Sequence, residues 1–189
     1  MGNVYIEITM SLDGFVAGPN VRIGNGMGDD GESLHGWMSD KEAKEIMADF
    51  FEKTGAFIIG RRMFDVGEEP WGDDGAFGKP CFVLTNRPRE ILVKGPTTFT
   101  FVTGGIHQCL ELAQKAAGDK NVGIAGGANI IQEFLNANLV DELRLHVAPV
   151  MLRAGTRLFD EITRDNIRLE QIGSKETASA MHTRYRVSS

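Results

Sequence analysis

The spacing of hydrophobic positions changes from one segment of the chain to the next. In residues 3–10 (NVYIEITM), Val4, Ile6 and Ile8 alternate with Tyr, Glu and Thr, which is the two-residue period of a β-strand. Four further apolar runs are bracketed by glycine, proline or polar residues: 56–60 (AFIIG), 79–88 (KPCFVLTNRP), 97–102 (TTFTFV) and 122–125 (VGIA). Short runs of this kind predict buried strands.

Segments with the hydrophobic spacing of helices lie between these strands. Ser39 and Glu42 have the arrangement of a capping box, so a helix is expected to begin at Ser39 and to end near Gly55. The other helices are expected at 61–69 (a short helix or turn), 106–117 and 128–138. Residues 22–36 are rich in Gly and Asp and have little periodicity, which predicts a long surface loop.

The pattern becomes strand-rich after residue 140. Strands are expected at 141–150, 167–174 and 179–187, with no helix between them. The earlier alternation of strand and helix predicts parallel crossovers, and the tail predicts antiparallel strands at one edge, beginning with 141–150. Asp141 and Glu142 point to opposite faces, so they are expected to begin a strand and bind backbone or arginine groups. The predicted class is α/β, with a mixed, mostly parallel sheet and helices on both faces.

Composition narrows the class of protein. The chain has 189 residues, of which 42% are hydrophobic and 24% are charged, so residues 1–189 are expected to form one globular domain. The formal net charge of −6 argues against general nucleic-acid binding, which needs clustered Lys and Arg. The apolar runs fall short of the ~20 residues that span a bilayer, so we expect no membrane association and a cytoplasmic location.

The cysteines and histidines do not suggest a metal site. Cys81 and Cys109 stand in apolar contexts and are expected to be buried and unpaired. The four histidines are His35, His107, His146 and His182. They lack metal-ligand spacing, so solvated or strand-packed roles are expected for them.

The stretch VGIAGGANII carries the first candidate for chemistry. A buried strand enters Gly126-Gly127 and an amphipathic helix leaves it, and the N-termini of helices in such sheets attract anions. Without Cβ atoms, the two glycines would let a diphosphate approach the backbone. For a lone Gly-Gly, a tight strand-to-helix turn is the simpler explanation, and the G-x-G-x-x-G pattern is absent.

Two other strand ends favour the phosphate interpretation. Gly60-Arg61-Arg62 and Thr85-Asn86-Arg87 also follow buried strands, and a parallel sheet brings such ends to one edge. Guanidinium groups match phosphate oxygens, so these arginines are candidates for the extra phosphate of NADPH. At least one of the three is expected to be an ordinary surface charge.

The motifs SLDGFVAGP, IIGRRMF, PCFVLTNRP and VGIAGGANIIQEFLNANLVDELRLHVAPVMLRAGTRLF together resemble the dihydrofolate-reductase-like superfamily. Within it they are most similar to the stand-alone relatives of the reductase domain of the riboflavin-biosynthesis deaminase-reductase. The resemblance implies a three-layer fold of the dihydrofolate-reductase type, NADPH binding without a Rossmann motif and a homodimer. It implies reduction of a small pterin-, pyrimidine- or ribosylaminopyrimidine-like substrate, similar to that of 5-amino-6-(5-phosphoribosylamino)uracil reductase.

The resemblance also implies roles for individual positions. The cofactor-binding positions are Ala17 (nicotinamide), Gly60, Arg61 and Met63 (phosphates), Thr85, Asn86 and Arg87 (adenosine end), and Gly126, Gly127, Ala128, Asn129 and Ile130 (diphosphate). The zinc deaminase half of the bifunctional enzyme has no counterpart in this sequence, and 22–36 and 64–77 look like the stand-alone branch. These two segments are expected to shape the substrate pocket, so the cofactor is better indicated than the substrate.

Asp13, in the LDG turn, is the candidate catalytic residue. At the pocket mouth it would orient a substrate or relay a proton, and its alternative is a turn residue that caps its own backbone. Trp37 and Phe64 are candidates for the pocket wall, although single aromatics often belong to the core. Two functions follow: an NADPH-dependent reductase, or a non-catalytic nucleotide-binding or sensing module on the same fold.

Overall fold

A computed structural model describes residues 2–189. The strands are β1 (Val4–Ser11), β2 (Phe15–Ala17), β3 (Thr54–Gly60), β4 (Pro80–Leu84), β5 (Leu92–Lys94), β6 (Thr97–Val102), β7 (Asn121–Gly126), β8 (Glu142–Ala148), β9 (Thr156–Arg157), β10 (Arg168–Glu176) and β11 (Met181–Ser188). The helices are α1 (Ala43–Lys53), α2 (Arg61–Gly67), α3 (Gly105–Ala117) and α4 (Ala128–Asn136), and a 3-10 helix spans Gly31–Ser39.

One sheet has the strand order β10-β11-β8-β1-β7-β3-β4-β6-β5. The six strands from β8 to β6 in this order are parallel, whereas β11, β10 and β5 run antiparallel to their neighbours. The expected mixed, mostly parallel sheet is therefore confirmed. The expectation that 141–150 is the first antiparallel strand is wrong, because α4 carries the chain across the sheet and β8 pairs parallel with the far side of β1.

Side-chain alternation in β1 divides the core into two layers. Val4 and Ile6 face a cluster covered by α3 and α4, whereas Tyr5 faces a cluster covered by α1 and α2. Asp141 and Glu142 act as predicted, since Asp141 accepts from the Val4 N–H at 2.7 Å and Glu142 accepts from Arg144 at 2.7 Å. The second layer matters for function, because β1 also presents polar side chains on that face.

The segment before α1 differs from its prediction. Part of the expected 22–36 loop belongs to the 3-10 helix, which buries Leu34 and Trp37 almost completely. The predicted capping box is wrong: α1 begins at Ala43, and no side chain caps it. Asp40 instead accepts hydrogen bonds from the Ser179 N–H (3.0 Å) and hydroxyl (2.9 Å). The buried Trp37 anchors this segment. The local sequence has no periodicity that would indicate this burial.

Three short strands, β2, β5 and β9, have no counterpart in the sequence prediction. They contain two or three residues each, and β2 pairs only with β9 in a separate small sheet. Runs this short carry no detectable period, so tertiary pairing alone defines them. Cys81 and Cys109 are free and buried, as expected. In the described part of the chain, no helix is long and apolar enough to cross a membrane.

Candidate functional site

A cavity of about 970 Å³ opens at the carboxyl ends of the central strands. It extends from the end of β4 across α2 and the N-terminus of α4 to the middle of β1, with α1 and the 3-10 helix on its outer side. Its volume lies at the upper end of the ~300–1,000 Å³ range of small-molecule sites. Ligands of open α/β sheets bind at this edge, so the cavity is the candidate site.

The glycine pair forms one wall of the cavity. Gly126 has a φ of 123°, which only glycine adopts easily, and the peptide bond to Gly127 is cis. Gly127 faces the cavity, and a Cβ at this position would meet no atom within 4 Å. The hydrogen bonds of α4 begin with the Ile130 N–H to the Gly127 carbonyl at 3.1 Å, so the N–H groups before it have no helical acceptor. These groups suit the binding of an anion.

Two arginines converge on Asp65 at the opposite wall. Arg61 Nε lies 2.6 Å from Asp65 Oδ1, and Arg87 Nη2 lies 2.7 Å from Oδ2. Burial acts to raise the pKa of Asp65, but the hydrogen bonds from the two guanidinium groups outweigh it and hold this pKa below its usual value. Two cations and one carboxylate leave an excess of positive charge. The guanidinium groups are thereby held at the cavity edge, where they suit a phosphate.

The remaining predicted cofactor residues lie around these walls. Ala17, Gly60, Met63, Thr85, Asn86, Ala128, Asn129 and Ile130 all line the cavity. Gly126 does not line the cavity, and its backbone conformation directs the chain into α4. Arg62 donates to the Val21 carbonyl at 3.2 Å and thereby links α2 to the loop that follows β2. The structure thus brings together residues from four separate strand ends.

A polar cluster on the floor of the cavity was not anticipated from the sequence. Glu7 on β1 and His146 on β8 are almost completely buried, and the Glu7 Oε1 atom lies 3.2 Å from His146 Nε2. The Trp37 ring packs on the His146 ring with centroids 4.5 Å apart. On the side away from the cavity, His146 Nδ1 lies 2.7 Å from His182 Nδ1. Burial, followed by the proximity of His146, lowers the pKa of His182 to about 4.

Only the sheet register could have indicated this cluster. Glu7 stands opposite Arg144 in β1 and β8, and His146 stands opposite His182 in β8 and β11. The sequence signal was the charged residue Glu7 within a strand of the sheet, which is costly to bury unless the charge has partners. No group of three or more His, Cys, Asp or Glu in residues 2–189 is arranged to hold a metal ion.

Asp13 does not lie on the cavity wall. Its carboxylate accepts hydrogen bonds from the Ser11 hydroxyl (2.5 Å) and from the N–H groups of Leu152 (3.2 Å) and Arg153 (2.8 Å). The Ser11 hydrogen bond, and then the two backbone N–H groups, hold the pKa of Asp13 below its usual value against the effect of desolvation. The structure therefore places Asp13 away from the cavity wall, where it anchors the loop after β8. Its bonds to Ser11 and to its own backbone agree with the turn alternative, and its bonds to Leu152 and Arg153 reach beyond that turn.

We expect Asp13→Asn to lower the free energy of unfolding at pH 7 and to leave NADPH affinity unchanged. A carboxyl whose pKa is lowered by folding stabilises the protein above its unfolded pKa of about 3.9, and this contribution disappears as the pH falls through the folded value. The difference from wild type should therefore shrink as the pH falls below about 4. Urea denaturation at several pH values measures it, and a weakened NADPH affinity would return Asp13 to the binding site.

The two predicted wall aromatics have different positions. Trp37 lines the cavity, where its Nε1–H donates to Thr9 Oγ1 at 3.0 Å. Phe64 does not line it and is fully buried. The ring of Phe64 packs edge-on against Phe99 and Phe101, with centroids 5.1 and 5.0 Å away. This correction has a simple cause, since the inner face of the short helix α2 points into the core.

The sequence of the chain matches that of a known family. The profile of the RibD C-terminal domain matches residues 3–183. YwjB, a protein of Bacillus subtilis (strain 168), is 27% identical over 187 residues, which cover 95% of both chains.

Solved structures share the fold. A putative riboflavin biosynthesis protein from Shewanella sp. PV-4 has a TM-score of 0.74 at 23% identity, over 99% of both chains. Dihydrofolate reductase from Enterococcus faecalis, complexed with NADP(H), has a TM-score of 0.61 at 16% identity, over 100% of this chain and 98% of that one. The diaminohydroxyphosphoribosylaminopyrimidine deaminase/5-amino-6-(5-phosphoribosylamino)uracil reductase of Thermotoga maritima has a TM-score of 0.70 at 12% identity, over 99% of this chain and 57% of that longer chain. These likenesses show a dihydrofolate-reductase-like fold.

Proposed function

The chain belongs to the RibD C-terminal domain family, and on this premise we propose that it is an NADPH-dependent reductase of a small pterin-, pyrimidine- or ribosylaminopyrimidine-like substrate. One observation carries the proposal: the ends of β2, β3, β4 and β7 place their candidate cofactor residues around a single cavity. The NADP(H) complex of the structurally similar E. faecalis enzyme supports the same cofactor.

The residues present fit a dinucleotide phosphate. Gly127 leaves open space beside the first turn of α4, where N–H groups would bind the diphosphate. Arg61 and Arg87 would bind the additional phosphate, with Asp65 holding both guanidinium groups in place. Ala17 would lie beside the nicotinamide. The cofactor, when bound, supplies the hydride, and the protein supplies orientation and a proton.

His146 is our candidate for the proton donor in place of Asp13. Its ring lines the cavity and is linked through Nδ1 to His182, whose Nε2 lies 3.1 Å from Thr177 Oγ1. A proton entering at Thr177 can therefore reach His146 Nδ1 as each ring changes its tautomer, while the proton on His146 Nε2 passes to Glu7 Oε1, so every hydrogen bond is retained. Glu7, which lines the cavity, would then pass that proton to the substrate. The cluster thus provides the proton that a reduced C=N or C=O group needs.

We further propose a homodimer with β10 in the contact. This strand is the edge of the sheet, and it leaves Leu169 and Ile172 partly exposed. Exposed apolar edge strands associate readily with another strand.

Titration of the purified protein with NADPH tests the cofactor assignment. We expect enhanced nicotinamide fluorescence, with energy transfer from tryptophan because both tryptophans, Trp37 and Trp71, line the cavity. An absence of binding at high micromolar NADPH would refute the proposed function. Binding without turnover of any pterin, pyrimidine or carbonyl compound would favour the sensing module instead.

A further inference from the structure

The Glu7 carboxylate has hydrogen-bonding capacity that its protein neighbours leave unused. Its two oxygens have one partner each, His146 Nε2 at 3.2 Å and Arg144 Nη1 at 3.4 Å. Charge-assisted hydrogen bonds are normally about 2.7–2.9 Å long, and a carboxylate offers about four lone-pair sites. Glu7 lines the cavity although its side chain is only 7% exposed. A ligand seated there can therefore donate two hydrogen bonds to Glu7.

The part of the cavity around Glu7, here called the substrate half, has flat and apolar walls. Its wall residues come from the 3-10 helix and α1: Trp37, Met47, Phe50 and Phe51. The Phe50 ring packs edge-on against Tyr5 of β1, with centroids 5.7 Å apart, and the rings of Phe50 and Phe51 lie 5.2 and 5.8 Å from that of Phe57. Aromatic walls favour a planar ligand, because rings stack face to face or meet edge-on.

The substrate half also lacks a cation that could bind a phosphate. Within residues 2–189, the Lys and Arg side chains on the cavity wall are Arg61, Arg62 and Arg87. They follow β3 and β4, which lie two and three positions from β1 in the sheet. At ~4.8 Å per strand this places them roughly 10 to 14 Å to the side of Glu7.

The other charged groups near Glu7 do not provide a cation for a phosphate either. Arg144 is 8% exposed and is neutralised by Glu142 (2.7 Å), Asp49 (3.4 Å) and Glu7, with its guanidinium 4.2 Å from the Tyr5 ring centroid. The carboxylates on the cavity wall are those of Glu7, Glu32 and Glu133.

The His35 imidazole on the cavity wall also provides no fixed cation. Burial lowers the pKa of His35 against the opposing effect of Glu32, and this keeps its ring uncharged at neutral pH. Carboxylates therefore outnumber cations on the wall of the substrate half, which disfavours an anionic group there.

We propose that the substrate half binds an unphosphorylated, planar nitrogen heterocycle, through two adjacent N–H donors that bond to Glu7. The inference rests on the proposed reductase function and narrows its substrate class. It separates this chain from the Thermotoga maritima protein, whose name states a phosphoribosylamino substrate. Aromatic walls supply affinity, Glu7 selects the donor edge of the ring, and the missing cation excludes the phosphate.

Binding of matched probes tests this inference without requiring turnover. Neopterin carries adjacent ring N–H and amino donors, and neopterin 3′-phosphate differs from it only by the phosphate. We expect neopterin to quench tryptophan fluorescence, the phosphate to bind at least about tenfold more weakly, and Glu7→Gln to weaken neopterin at least about tenfold. A tenfold change corresponds to about 1.4 kcal/mol, close to the low end of the range for a hydrogen bond to a charged group.

Glu142→Gln is the matched control, because Glu142 also binds Arg144 but does not line the cavity. It should leave neopterin affinity near wild type, and thermal melts should show that both variants fold. The inference is overturned if neopterin fails to bind at millimolar concentration, if the phosphate binds as tightly or more tightly, or if Glu7→Gln has no larger effect than Glu142→Gln. If the proposed reductase function is wrong, the wild-type protein will not bind NADPH. That outcome is distinct from a failure of this inference, which concerns neopterin binding.

Discussion

Gly127→Asp should weaken NADPH binding at least about 100-fold while the protein stays folded. The new carboxylate would stand at the first turn of α4, where the diphosphate is proposed to bind. Two unit charges 4 Å apart repel by about 4 kcal/mol at an effective dielectric constant of about 20, and each 1.4 kcal/mol is a tenfold change in affinity. The Cβ at this position meets no atom within 4 Å, so no clash is expected.

Gly36→Asp is the control for this substitution. A Cβ at Gly36 also meets no atom within 4 Å, and Gly36 is exposed and off the cavity wall. Fluorescence titration gives the dissociation constant, and thermal unfolding verifies the fold. NADPH affinity of Gly127→Asp equal to that of Gly36→Asp would show that α4 does not bind the diphosphate and that the glycine pair is only a turn.

Arg61→Gln and Arg87→Gln should each reduce the preference for NADPH over NADH by roughly tenfold or more. A hydrogen bond to a charged group contributes about 1.5–3 kcal/mol, and NADH lacks the phosphate that would accept it. Affinity for NADH should change little. The ratio of the two dissociation constants measures the effect independently of any substrate.

Arg168→Gln on the exposed start of β10 is the matched control for the loss of one positive charge. It should lower both affinities equally or not at all. If Arg61→Gln and Arg87→Gln weakened NADH as much as NADPH, the two arginines would bind another part of the cofactor, and the phosphate assignment would be wrong.

Elements with a long, regular period were predictable from the sequence. The strand β1 and the helices α3 and α4 begin and end within a few residues of their expected positions. The strand-end residues also came to one edge as expected, because parallel pairing fixes that geometry once the strands are assigned. Phe64 shows the limit of this reasoning, since the short helix α2 gives no period from which its buried face could be identified.

The parts that the sequence could not supply depend on contacts between distant residues. Asp13 bonds to Arg153, 140 positions away, and Glu7 meets His146 across 139 positions. No local pattern encodes such a separation. The register of β8 between β1 and β11 decides which side chains meet, and a shift of one residue would turn His146 to the other face.

The sequence by itself determined the fold class, the parallel order of strand and helix, and the small and basic residues at three strand ends. The period of hydrophobic positions can be recognised within about ten residues, because it does not depend on contacts with the rest of the chain. Only the tertiary structure decided that Asp13 anchors a loop, that Phe64 belongs to the core, and that Glu7, His146 and His182 form one buried polar cluster. Burying those charged and polar groups is tolerated only where partners from three strands of the sheet arrive together, and the folded sheet alone provides that arrangement.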